Sequence, residues 1–127
     1  MTQVFDASAV LAAIFEEPGA ERVEALWAAG DNLLSAVNYA EVVATLAERG
    51  MALAEIATVI EAIPLEVIPF DRHTAHQAGR LRPQTKALGL SLGDRACLAL
   101  GMVRSARVVT ADRAWQKVKG VEVDLIR

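Results

Sequence analysis

The chain has 127 residues and a net charge of −3 at neutral pH, with 54% hydrophobic and 5% aromatic residues. This length allows one compact core, so we expect residues 1–127 to form a single domain. The one cysteine, Cys97, excludes an intrachain disulfide and argues against a cysteine-based zinc site. No uncharged run exceeds nine residues, and no basic segment opens the chain, so we expect a cytoplasmic protein without a membrane span or signal peptide.

Charge is unevenly divided along the chain. Residues 1–70 hold 2 basic and 11 acidic side chains, whereas residues 71–127 hold 11 basic and 5 acidic ones. This division allows a local basic surface on an acidic protein, which would suit a phosphate-bearing partner. Solvated helix faces that simply differ in charge explain the same pattern.

Predicted strands and helices alternate from the first residues to the last. Strands are predicted at short apolar runs, in chain order at residues 4–5, 32–36, 65–69, 107–110 and 121–125. Helices are predicted over residues 7–17, 21–29, 38–49, 53–63, 71–88 with a break near Pro83, 91–105 and 112–118. This alternation indicates an α/β fold, a three-layer α/β/α sandwich with a mainly parallel central sheet.

Four carboxylates lie at strand ends and helix starts, which is where functional sites form in a parallel sheet. Asp6 and Asp112 directly follow the first and fourth predicted strands. Glu41 and Asp94 lie near the starts of two predicted helices. Because strand carboxyl ends and helix amino termini share one edge of a parallel sheet, we expect the four acids to converge there.

Each acid also has a purely local explanation. Asn38-x-x-Glu41 and Ser91-x-x-Asp94 both match a capping box, and an aspartate directly after a strand fits an N-cap. Four converging negative charges, by contrast, repel one another where water is partly excluded. A divalent cation relieves that repulsion, and an all-oxygen set suits Mg²⁺ or Mn²⁺ rather than Zn²⁺.

Four motifs in register resemble the PIN-domain pattern, and their order and spacing resemble the VapC toxins of bacterial toxin–antitoxin pairs. The motifs are VFDAS at residues 4–8, NYAEV at 38–42, LSLGDRA at 90–96 and VTAD at 109–112. The resemblance covers essentially the whole chain, and all four acidic positions are filled.

The resemblance implies a metal-dependent endoribonuclease that hydrolyses RNA phosphodiester bonds. It implies that Mg²⁺ or Mn²⁺ is bound, directly or through water, by Asp6, Glu41, Asp94 and Asp112. It also implies a homodimer and a cognate VapB-like antitoxin that inhibits the toxin.

Four further residues are candidates for supporting roles. The resemblance also suggests that Thr110 and Ser8 help order metal-bound water or Asp6, although a turn or helix-entry hydrogen bond explains both hydroxyls as well. Arg95 and Arg113 each follow a candidate acid, where they would contact RNA phosphates or form ordinary salt bridges.

Other interpretations keep the fold and change the function. A phosphoacceptor receiver domain would use Asp71 and Thr110, but it also needs an acidic pair after the first strand and a lysine after the fifth. Asp6 stands alone, and residues 121–127 contain no lysine. A haloacid-dehalogenase-like phosphatase needs Asp-x-Asp, where this chain has Ser8. A non-catalytic PIN-like interaction module remains an alternative.

Overall fold

All five strands of the computed structural model, which describes residues 1–127, run parallel in one sheet. In chain order they are β1 (Thr2–Phe5), β2 (Asp31–Ser35), β3 (Glu66–Ile68), β4 (Arg107–Thr110) and β5 (Val123–Leu125). Across the sheet the order is β3-β2-β1-β4-β5. Val4 of β1 pairs with Leu33 on one side and Val108 on the other. The predicted parallel sheet is therefore confirmed.

Seven α-helices connect the strands. They are α1 (Ala7–Ile14), α2 (Ala20–Ala29), α3 (Ala36–Glu48), α4 (Leu53–Glu61), α5 (Arg72–Arg80), α6 (Arg82–Thr85) and α7 (Leu92–Val103). The break predicted near Pro83 separates α5 from α6. The short helix predicted after β4 is a 3-10 turn, Arg113–Lys117. None of the helices is long and apolar enough to cross a membrane.

Alternating side chains of the central strands pack into two separate hydrophobic cores, one on each face of the sheet. Successive residues of a strand point to opposite faces of the sheet. One face buries Phe5, Leu34 and Val109 against helices α1 to α4. The other face buries Val4, Leu33 and Val108 against α5, α7 and the 3-10 turn. This arrangement confirms the predicted three-layer sandwich.

The two outer helical layers differ in charge in the same way as the two parts of the sequence. Helices α1 to α4 come from the acidic residues 1–70, and α5 to α7 come from the basic residues 71–127. Because the two sets of helices cover opposite faces of the sheet, the acidic and basic halves of the sequence are also opposite layers of the molecule.

The predicted start of the third helix at Asn38 is wrong by two residues. Helix α3 begins at Ala36, directly after β2, and Ser35 caps it by accepting a hydrogen bond from the Val37 N–H at 3.2 Å. Asn38 is therefore inside the helix, and the capping box proposed for Asn38 and Glu41 does not form. The side chain of Asn38 is instead free to contact other elements.

Candidate active site

Asp6 occupies the junction between β1 and α1, at the carboxyl edge of the sheet. Its side chain is buried, with 4% exposed, and makes no capping hydrogen bond to α1. Its Oδ2 instead accepts hydrogen bonds from the Ser8 hydroxyl at 2.7 Å and the Thr110 hydroxyl at 2.9 Å. The N-cap explanation therefore fails for the Asp6 side chain, and its carboxylate is held by two hydroxyls.

Two neighbouring acids lie within electrostatic reach of Asp6. Burial raises the pKa of Asp6 to about 6, and the negative charges of Asp94 and Glu41 add to the rise. The hydrogen bonds from Ser8 and Thr110 oppose it. Burial also raises the pKa of the Cys97 thiol well above its usual range, and the same three carboxylates raise it further. Asp94 and Glu41 therefore lie close enough to Asp6 to act on it electrostatically, whereas Asp112 does not contribute to the shift.

Glu41 is held in place by contacts that join α3 to α7. The Asn38 side-chain amide donates to Glu41 Oε1 at 2.8 Å and to the Gly93 carbonyl at 2.9 Å. A Cβ atom added at Gly93 would collide with the Glu41 carboxylate. Sequence reasoning missed both roles, although the i, i+3 spacing of Asn38 and Glu41 within a helix places them on one face.

Asp94 combines a capping role with its place in the site. Its Oδ2 accepts from the Ser91 N–H at 2.9 Å, and the Ser91 hydroxyl accepts from the Asp94 N–H at 3.2 Å. This is a complete capping box at the start of α7. The capping interpretation is thus confirmed for Asp94, and it coexists with the electrostatic contact to Asp6.

Asp112 lies at the outer margin of the site and is exposed. Its Oδ1 accepts from the Ala114 N–H at 3.0 Å, so the residue caps the 3-10 turn. Its own N–H donates to the Thr110 hydroxyl at 3.1 Å. Asp112 is therefore linked to Asp6 through Thr110. Ser8 joins the same loop to α1 by accepting from the Ala111 N–H at 3.0 Å.

The four candidate acids share one pattern of oxygen use. Each commits one carboxylate oxygen to a hydrogen bond within the chain and leaves the other without such a partner. The oxygens without a partner are Asp6 Oδ1, Glu41 Oε2, Asp94 Oδ1 and Asp112 Oδ2. The hydrogen-bonded oxygen fixes the orientation of each carboxylate.

These residues fit a hard divalent cation in donor chemistry and in charge. All the donors are oxygens, and the charges that raise the pKa of Asp6 are both negative. The buried Asn38 Oδ1 also has no hydrogen-bond partner. No three acidic, histidine or cysteine side chains are close enough to enclose an ion as a ready-made group.

The two candidate arginines differ in their surroundings. Arg95 is half-buried, and its guanidinium donates to the Ala78 carbonyl of α5 at 3.2 Å. Arg113 is exposed and forms no ion pair within the chain. Arg113 is therefore the freer of the two to meet a phosphate.

The arrangement of strands argues against the receiver alternative. A receiver sheet has the order 2-1-3-4-5, which places its third strand beside the first. Here β3 is at the edge of the sheet, two strands away from β1. Asp71, which follows β3, caps α5 by accepting from the Thr74 N–H at 2.9 Å.

Comparisons with known proteins agree with this architecture. Residues 4–121 match the PIN domain family. No curated protein sequence matches the chain. This chain belongs to the PIN domain family, which is the class that its fold and its carboxylate edge define.

Within that family, the fold is similar to VapC toxins over nearly the whole chain. A toxin–antitoxin complex from Klebsiella pneumoniae matches with a TM-score of 0.79 at 17% identity, over 98% of each chain. VapBC-1 from nontypeable Haemophilus influenzae matches with a TM-score of 0.77 at 17% identity, over 99% of this chain and 98% of that one. The sarcin-ricin loop cleaving toxin VapC20 of Mycobacterium tuberculosis matches with a TM-score of 0.73 at 17% identity, over 95% and 98%.

Proposed function

We propose that this chain is a metal-dependent endoribonuclease, the toxin of a toxin–antitoxin pair, which hydrolyses RNA phosphodiester bonds. The observation that carries the proposal is the buried Asp6 carboxylate, whose pKa is raised toward 6 beside Glu41 and Asp94. Burying Asp6 beside two half-buried acids without a cation is unfavourable, so such a site favours a positively charged ligand. The similarity to the RNA-cleaving toxin VapC20 supports RNA as the substrate.

The cation would be Mg²⁺ or Mn²⁺, held directly or through water by Asp6, Glu41, Asp94 and Asp112. When bound, such an ion supplies an activated water and stabilises negative charge on the phosphoryl oxygens. Ser8 and Thr110 hold Asp6 Oδ2 and so would fix the orientation in which Oδ1 meets the ion. Asp112 would extend the acidic edge on the solvent side.

RNA would approach from the basic layer of α5 to α7. The exposed Arg113 follows Asp112 directly and would contact a phosphate next to the scissile bond. Arg95 would contact phosphate only after releasing the Ala78 carbonyl, so we assign it the weaker role. Contacts of this kind position the backbone without selecting a base sequence.

A cognate VapB-like antitoxin and a homodimer complete the proposal, and a protein of this kind would act in the cytoplasm. Several solved structures with this fold are toxin–antitoxin complexes. The helices between Ala7 and Ile63 are the expected contact, and Leu53 at the start of α4 is 76% exposed. Light scattering at micromolar concentration should give the mass of a dimer. A strict monomer would contradict the dimer without affecting the nuclease.

The test of activity uses purified toxin freed from antitoxin. Total RNA is incubated with the folded protein and Mg²⁺ or Mn²⁺, with EDTA as the control. Cleavage with the cation and none with EDTA is the expected result, together with a higher melting temperature on adding Mn²⁺, because the ion binds only the folded site. A folded protein that neither cleaves RNA nor gains stability with either cation would instead be a non-catalytic PIN-like interaction module.

A further inference from the structure

Asn38 is an unusual residue for the inside of a helix. It is completely buried in the first turn of α3, and asparagine is a poor helix former. Its side-chain nitrogen uses both hydrogens, one on Glu41 Oε1 and one on the Gly93 carbonyl of α7. Its Oδ1 is buried without a partner. A buried amide that is only partly satisfied is costly, so its location calls for a specific reason.

Gly93 is the other half of the same contact. It is buried in the first turn of α7, one residue before Asp94. Any side chain at this position would occupy the space that the Glu41 carboxylate fills. Glycine weakens a helix relative to alanine, and here that weakness leaves room for an acid from another helix.

The electrostatics of the site explain why Glu41 needs a clamp. Glu41 is one of the two negative charges that act on Asp6, so these two carboxylates repel each other. A glutamate side chain has several freely rotating bonds, so repulsion would turn the carboxylate toward solvent unless something held it. The Asn38 amide holds Oε1 by donating a hydrogen bond, and Gly93 allows the close approach.

We propose that Asn38 and Gly93 are positioning residues, which hold the Glu41 carboxylate beside Asp6 and Asp94 so that the site is assembled before a cation arrives. This inference rests on the proposed function, because it assigns a purpose to residues around the proposed cation site. In this proposal the Asn38 amide acts through Glu41, to which it donates a hydrogen bond. The partners that orient a ligand typically change metal affinity by about 10–100-fold when removed.

The test measures Mn²⁺ affinity of the folded chain by isothermal titration calorimetry. Asn38→Ala removes the amide that donates to Glu41, and Gly93→Ala keeps that amide but fills the space of the carboxylate. Both variants should weaken Mn²⁺ binding by about 10-fold or more. In a Glu41→Gln background, Asn38→Ala should cause little further loss, because its effect passes through Glu41.

Two matched variants control for general damage. Asn32 is also a buried asparagine, but it donates to the Trp27 and Pro64 carbonyls at 2.9 and 3.1 Å. Gly101 is also a buried glycine of α7, but a Cβ there would meet the Val108 side chain. Asn32→Ala and Gly101→Ala should lower the melting temperature and leave the Mn²⁺ dissociation constant unchanged in the folded protein.

The outcomes separate this inference from the proposed function. If wild type, Asn38→Ala and Gly93→Ala all bind Mn²⁺ equally well, the positioning role of Asn38 and Gly93 is wrong. The proposed nuclease activity is not affected by that result. If only one of the two folds, the Mn²⁺ dissociation constant of that variant decides. If both variants lose affinity for Mn²⁺ but wild type leaves RNA intact, the positioning role is supported. The proposed nuclease activity is then wrong. Wild type that does not bind Mn²⁺ overturns both.

Discussion

At the scale of single residues, Asp6 departs furthest from an ordinary aspartate. The folded protein holds the Asp6 proton up to about pH 6, whereas the unfolded chain loses it near the usual value of 3.8. The contribution of Asp6 to stability is therefore complete below about pH 4 and is lost as the pH rises to 6 and above. A shift of this size corresponds to about 3 kcal/mol in the cation-free protein.

Asp6→Asn should remove this pH dependence. In EDTA, the variant should be more stable than wild type at pH 8, and the difference should shrink toward zero near pH 4. Urea unfolding at both pH values measures it. Asp71→Asn is the control of opposite sign, because the hydrogen bonds with Thr74 lower the pKa of Asp71, so its stabilisation is lost as the pH falls. An Asp6→Asn variant less stable than wild type at pH 8 would contradict the account.

The acids themselves were predictable from sequence, and their neighbours were not. Asp6 and Asp112 stand directly after strands, and the positions of Glu41 and Asp94 follow from the helix that carries each of them. Asn38 and Gly93 are 55 residues apart and meet only because α3 packs against α7. No local spacing encodes that contact. The sequence alone therefore favours a helix cap for Asn38, whereas in the structure its side chain joins α3 to α7.

At the scale of elements, hydrophobic alternation and turn residues predicted the order of strands and helices. The observed ends of several elements differ from the predicted ends by one or more residues. Helix α3 begins two residues before its predicted start because Ser35, the last residue of β2, serves as the cap. The last strand is shorter than predicted and begins at Val123. Pairing with a neighbouring strand decides such ends, and that information is not local.

The capping box of α7 allows capping and site electrostatics to be separated. Asp94→Asn keeps an oxygen that can accept from the Ser91 N–H and removes the charge, so the stability of the cation-free protein should stay unchanged or rise. Asp94→Ala also removes the acceptor and should cost about 0.5–2 kcal/mol. Both variants should lose RNA cleavage. Thermal melting in EDTA and a cleavage assay measure the two effects, and an active Asp94→Asn would reduce Asp94 to a helix cap.

At the scale of the whole molecule, the two charged layers lie on opposite faces of one sheet, a division visible in the sequence only as unequal halves. The site lies where the layers meet, since α3 of the acidic layer contacts α7 of the basic layer through Asn38. RNA drawn to the basic face would thus arrive beside the acids that we propose to bind the cation. The opposite face would repel it.

The basic layer should make RNA binding strongly salt-dependent. Anisotropy measurements with the Asp6→Asn protein in EDTA should show affinity falling steeply as salt increases, because phosphate contacts release counterions. Arg113→Gln should weaken binding and reduce the salt slope by about 1 if this residue contacts one phosphate. Glu61→Gln, an exposed change on the acidic layer, is the matched control and should leave the slope unchanged. Affinity that does not respond to salt would reject this surface.

The rate of RNA cleavage by Asp6→Asn, compared with wild type and Asp71→Asn, tests the central claim most directly. The two substitutions each neutralise one aspartate that follows a parallel strand, and only Asp6 is in the proposed site. With Mn²⁺ present, wild type and Asp71→Asn should cleave RNA at similar rates, Asp6→Asn should be inactive although folded, and EDTA should stop all cleavage. Cleavage by Asp6→Asn at the wild-type rate, or by wild type in EDTA, would contradict the account.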